Sequence, residues 1–329
     1  MKILRNMLDK VAPSFHQGGK LEKLYPLYDA IDTILYVPSE TADHGPYVRD
    51  HVDVKRSMIF VVLALIPCLL FGIYNAGLQS PVGISEGSTF LDIIIAGAFA
   101  VVPMYAVVFT IGGICEALFA VIRKHEINEG FLVTGMLIPL IMPPTVPLWM
   151  LAVATFFGIV IGKEIFGGTG FNVFNPALTA RAFIFFAYPT TMSGDKVWAI
   201  DGVSGATPLL KVAAGTGDNP ISLLVNYSWW DMFIGFIPGS IGETSTLCCL
   251  LGAAFLLITG IASWRTMAGV MIGMLSMTFV MNQFGQLIGS NNPMLFIPPH
   301  YHLVMGGFAF GMVYMATDPV SSSHTKKGM

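Results

Sequence analysis

Two apolar runs, about 58–77 and 91–122, constrain this chain more than any other feature, because each reaches the roughly 20 residues a helix needs to cross a bilayer. Further runs at about 128–142, 147–161, 177–188, 245–261, 267–284 and 301–317 are parted by proline, glycine or charged residues. Only 11% of the 329 residues are charged, against roughly 25% in an average soluble domain. With 54% apolar residues and a mean hydropathy of +0.70, the chain reads as an all-α polytopic membrane protein of about eight spans.

The distribution of charge sets the threading. Residues 1–57 are a polar leader carrying Lys2, Arg5, Lys10, Lys20, Lys23, Arg49, Lys55 and Arg56, which the positive-inside rule assigns to the cytoplasm. This leader has no apolar core of signal-peptide length. Within it, Leu21–Leu35 suits a short amphipathic helix on membrane lipid or a neighbouring subunit, and a disordered tail suits its composition nearly as well. Residues 58–188 then form a first membrane block of five helices, 189–230 a polar connection on the outer face, and 231–329 a second block of three. Every Lys and Arg except Lys196 and Lys211 falls on the cytoplasmic side or at its boundary. The balance argues against nucleic acid as a partner.

The helices expected at 128–142 and 301–317 run in opposite directions, yet both are short, contain small residues and end at proline. The two blocks therefore resemble an inverted repeat, left incomplete because five helices are answered by three. Glycine-rich membrane helices also pack closely for structural reasons alone. Phe310 and Tyr314 share one face, and Val133, Met136 and Leu140 recur at helical spacing, so together they suit an apolar collar on an ion pathway. Plain core packing gives the same spacing. The Tyr314 hydroxyl would either ligate a passing ion or bond a carbonyl.

Chemistry-bearing residues are few. Cys68, Cys115, Cys248 and Cys249 lack CxxC spacing and read as small buried hydrophobes, so no metal or iron–sulfur centre is assigned and any electron carrier must be organic. Gly167-Gly168-Thr169-Gly170 sits in a loop between membrane helices, outside any strand–turn–helix unit, so it is no dinucleotide fingerprint. Glu116 is an intramembrane carboxylate one turn after Gly112-Gly113. It is functional by default, with the glycines opening room beside it, or it reaches the interface near Arg123. In Ser204-Gly205-Ala206-Thr207-Pro208 the small residues leave the Thr207 hydroxyl open to a large partner, although an ordinary turn explains the motif too.

Taken together, Arg123–Phe131, Gly162–Gly170, Asn175–Phe183, Ser204–Thr207 and Gly306–Gly311 leading into Met315–Val320 resemble the family of B subunits of sodium-translocating NADH:quinone oxidoreductases. The resemblance covers nearly the whole chain. It implies a bacterial inner-membrane subunit of a respiratory sodium pump, with partner subunits and an NADH site elsewhere. It also implies FMN in phosphoester linkage to Thr207 and ubiquinone reduced near Gly112, Gly113 and the catalytic Glu116. A second flavin, riboflavin, is implied near the cytoplasmic side, with Asn172 and Asn175 meeting its edge and Thr134 and Asp318 approaching from the other repeat. Loop and helix capping is the alternative for the asparagines, and an N-cap or turn for Asp318. The family continues through two helices beyond Asp318-Pro319-Val320, which this chain is expected to lack. A D subunit of a ferredoxin:NAD oxidoreductase and a channel or transporter without redox chemistry are the rival readings.

Overall fold

The computed structural model describes residues 2–15, 19, 21, 25, 28, 54–85, 87–123, 130–194, 206–215, 219–225, 227–323, 325 and 328. Helix α1, Lys2–Phe15, opens the chain. The first membrane block is α2 (Val54–Leu78), the single turn α3 (Pro81–Ile84), α4 (Phe90–Arg123), α5 (Gly130–Leu140), α6 (Leu148–Val160) and α7 (Pro176–Ala187). After it come α8 (Pro208–Ala214), α9 (Trp229–Ile234), α10 (Thr246–Ile258), α11 (Trp264–Leu287), α12 (Pro299–Val304) and α13 (Phe308–Phe310), which runs into a π turn at Gly311–Met315. The described residues contain no β-strand, and four helices are long and apolar enough to cross a membrane.

Local chemistry accounts for the ends of these helices. Thr89 and Asp92 exchange hydrogen bonds in a capping box that starts α4, and Asn175 caps α7 by accepting from Ala177 N at 2.9 Å and Leu178 N at 3.3 Å, with Pro176 at the first helical position. The last carbonyl of α5 and one just beyond it are answered from far along the chain. Gly242 N donates to Leu140 O at 2.7 Å and Ile241 N to Met142 O at 3.1 Å. This lets the non-helical stretch 237–244 sit buried against membrane helices, because its polar backbone is paired.

Helices α2 and α4 cross at two glycines. A Cβ on Gly97 would lie 1.8 Å from Ile73 O, and one on Gly77 would lie 1.8 Å from Ile93 O. Since backbone cannot yield as a side chain does, Gly97→Ala is expected to cost about 1–3 kcal/mol or more of stability, read by thermal denaturation in detergent. Gly273→Ala, with open space around it, serves as the control.

Two expectations change. The terminal helix expected at 301–317 is broken, because Gly306 takes a left-handed φ of 65° that stops α12 and re-aims the chain before α13. The polar connection does not stand apart: its Val212 and Leu224 join Met232, Ile237, Ile297, Val304 and Met305 of the second block in a small core, which draws α8, α9 and α12 into one cap. In the leader, helix forms at Lys2–Phe15. Phe15 stacks on Tyr28 at 5.5 Å, but most of Leu21–Leu35 lies outside the described residues.

Candidate functional site

Two groups of candidate residues lie at the two ends of α5, whose 11 residues extend over about 16 Å. Beyond its C-terminal end a cleft of about 380 Å³ is bordered by Pro143, Arg181, Thr207, Ser240, Glu243 and Thr244. Thr207 caps α8, its Oγ1 accepting from Leu210 N at 3.3 Å while its backbone N donates to Gly194 O at 3.0 Å. It is half-buried, as is Ala206, whereas Ser204 and Gly205 lie outside the described residues. A Cβ on Gly194 would come within 2.8 Å of Thr207 Oγ1, so glycine there keeps the hydroxyl clear.

The cleft has the size and lining of a small-molecule site with Thr207 on its border. Its volume falls within the roughly 300–1,000 Å³ of small-molecule sites. Met192, Leu209, Ile237 and Pro238 offer apolar wall, and Arg181 with Glu243 forms an ion pair beside it. The Thr244 hydroxyl borders the cleft, buried and without a partner in the structure. Arg181, which the charge count put at the cytoplasmic boundary, thus shares the cleft of Thr207, because Glu243 neutralises it there.

At the N-terminal end of α5, Thr134, Asn172, Asn175 and Asp318 do converge, together with Lys163 and Thr169, on a space of about 40 Å³. Their polar groups are largely committed. Thr134 donates to Gly130 O at 3.2 Å, Asn172 accepts from Gly170 N at 3.3 Å and donates to Phe174 O at 2.9 Å, and Asn175 joins its cap to Asp318 at 3.2 Å. Asp318 also accepts from the Ser321 hydroxyl. The Thr169 hydroxyl is buried there without a partner. Such a space holds about one water molecule, at roughly 30 Å³ each, and not an isoalloxazine ring.

Glu116 is only 5% exposed and pairs with Lys163, itself 2% exposed. It does not run to the interface beside Arg123, whose guanidinium instead donates to Glu164 O and lies over the Phe119 ring. Because Lys163 also borders the 40 Å³ space, it links Glu116 to the four polar candidates. The two glycines before Glu116 differ. A Cβ on Gly112 would strike Phe131 at 2.5 Å, whereas one on Gly113 would meet nothing closer than 3.8 Å, so only Gly113 faces room.

The five collar candidates share one apolar core cluster. Phe310 is fully buried with its ring 4.8 Å from that of Tyr314, and the Tyr314 hydroxyl donates to Ala64 O at 2.8 Å. Val133 borders the small space, Met136 O accepts from Tyr105, and Leu140 packs where Gly242 admits it, so these three form a stripe along α5. Sequence reasoning passed over Lys163, Arg181 and Glu243. The available signal was two lone cations and a carboxylate within or beside apolar runs, where an unpaired charge is costly.

A sequence profile of the NQR2, RnfD, RnfE family matches residues 41–329. The chain belongs to this family. Among relatives, the B subunit of the Na(+)-translocating NADH-quinone reductase of Chromohalobacter salexigens is 51% identical over 348 residues, covering 99% of this chain and 83% of the relative. Proteins of the same name from Pseudomonas paraeruginosa and Klebsiella pneumoniae are 49% and 48% identical, each over 99% of this chain and over 85% and 86% of their own length. Within this NQR2, RnfD, RnfE chain, the matched region holds both cavities and the Glu116–Lys163 pair.

Proposed function

We propose that this chain is a membrane subunit of a bacterial respiratory sodium pump, carrying FMN as a phosphoester on Thr207 and passing electrons inward to ubiquinone beside Glu116 and Gly113. The names of its relatives, which are subunits of a Na(+)-translocating NADH-quinone reductase, support partner subunits and a redox reaction. The observation that carries the reading is the position of Thr207, a capping hydroxyl on the rim of a 380 Å³ cleft with Gly194 clearing its approach. When bound, the flavin supplies a reversible electron store. This chain's residues present the attachment oxygen, wall the ring with apolar side chains and set a charge pair against it. For riboflavin, Thr134, Asn172, Asn175 and Asp318 offer polar groups without the volume, so no step is routed through that group. The threading puts Thr207 on the outer face of the inner membrane, with sodium driven outward.

Thr207→Asn is the sharp test, because asparagine caps a helix as well as threonine does but cannot form a phosphoester. The chain is expected to enter the membrane at normal abundance with no flavin fluorescence in its band on a denaturing gel, while Thr207→Ser keeps some. A fluorescent Thr207→Asn band would overturn the assignment.

A further inference from the structure

The cleft beside Thr207 has one polar wall that attachment of a flavin does not use. Arg181 on α7 is paired with Glu243, whose side chain is 12% exposed, and Thr244 follows directly with a buried hydroxyl that has no partner in the structure. The guanidinium carries five N–H donors, and Glu243 engages it through Oε1. Gly307 lies against this carboxylate, where a Cβ would come within 2.7 Å of it, so the wall has been kept free of a side chain at that point. Together these residues bring a cationic donor, a carboxylate acceptor and a hydroxyl to the lining of one cleft. The pyrimidine edge of an isoalloxazine presents the complement: a carbonyl, an N–H and a second carbonyl.

We propose that Arg181, Glu243 and Thr244 form the recognition wall for the pyrimidine edge of the flavin carried on Thr207, and that the two charges set how readily that ring accepts electrons. The proposal rests on the flavin reading of Thr207. Reduction adds negative charge to the pyrimidine end of the ring, so Arg181 favours the reduced form and Glu243 opposes it. In a cleft that is only partly open to water, charge-assisted contacts of this kind are worth enough to move an equilibrium about tenfold. Arg181 and Glu243 are positioning residues for the ring, and neither is needed to make the phosphoester.

The test uses the full-length chain produced together with a flavin transferase and poised at the potential where half of the native covalent flavin is reduced. Arg181→Gln is expected to lower the ratio of reduced to oxidised flavin about tenfold and Glu243→Gln to raise it, both with gel-band fluorescence retained. Opposite shifts are the signature, since a merely structural pair would move both variants the same way. An unchanged ratio in both variants, shifts of the same sign, or loss of covalent flavin in either would overturn the proposal, the last by moving these residues to the attachment step. If a single variant is lost from the membrane, Arg181→Gln with Glu243→Gln keeps a hydrogen-bonding pair without charge. An absorption band of oxidised flavin identical to native in that double variant overturns the proposal as well. A native chain without band fluorescence removes the Thr207 reading itself, an outcome distinct from all of these.

Discussion

Replacing Lys163 with methionine is expected to destabilise the protein by about 3–5 kcal/mol, because it takes the cation of a buried ion pair away from Glu116 in a site from which water is nearly excluded. Glu116→Gln alone strands the ammonium of Lys163 and is expected to cost a similar amount. The double variant Glu116→Gln with Lys163→Met removes both charges and is expected to recover most of that stability in thermal denaturation of the purified protein. Quinone reduction then separates two roles. If Glu116 serves the quinone, the double variant regains stability without regaining turnover in the assembled complex. If the pair is only a strut between α4 and the end of α6, stability and turnover recover together. The packing around Gly112 and Gly113 adds a control: Gly112→Val strikes Phe131 and is expected to cost stability, whereas Gly113→Val has room, so a loss of quinone reduction at unchanged stability is the outcome expected if the quinone binds there.

Phe310→Ala is expected to cost about 3–5 kcal/mol, the usual range for emptying a buried aromatic site, since the Phe310 ring is fully enclosed and packs on Tyr314. Tyr314→Phe removes only the hydroxyl that donates to Ala64 O and is expected to cost about 1 kcal/mol. Paired measurements of quinone reduction and sodium uptake into vesicles decide what this core does. A collar predicts that electron transfer survives in Phe310→Ala while sodium gradients leak. Packing alone predicts that both activities fall in proportion to the loss of folded protein. The Tyr314 hydroxyl bonds a backbone carbonyl, and Gly252 opens the space it occupies, since a Cβ there would lie 1.8 Å from Tyr314 Oη. That arrangement ties the π turn to α2 and α10, so Gly252→Ala is the complementary way of displacing the tyrosine.

The membrane spans were legible from the chain alone because burial in lipid imposes a length and a composition on each helix separately, without reference to its neighbours. Val54–Leu78, Phe90–Arg123 and Trp264–Leu287 fall within a few residues of the apolar runs, and Asn175-Pro176 marks the start of α7 by local capping chemistry. Family membership was legible too, since motifs in order along the chain survive without any knowledge of how they pack. What tertiary structure decided was pairing. Glu116 with Lys163, Arg181 with Glu243, and Leu140 with Gly242 join residues 47, 62 and 102 positions apart, at separations where no periodicity carries information. The cost of an unpaired charge or carbonyl in a low-dielectric interior demands that a partner exist, but only the packing of the helices selects which one. The break at Gly306 belongs to the same class: its left-handed backbone is open to any glycine, and it is taken up here because α12 must join the cap while α13 returns to the core.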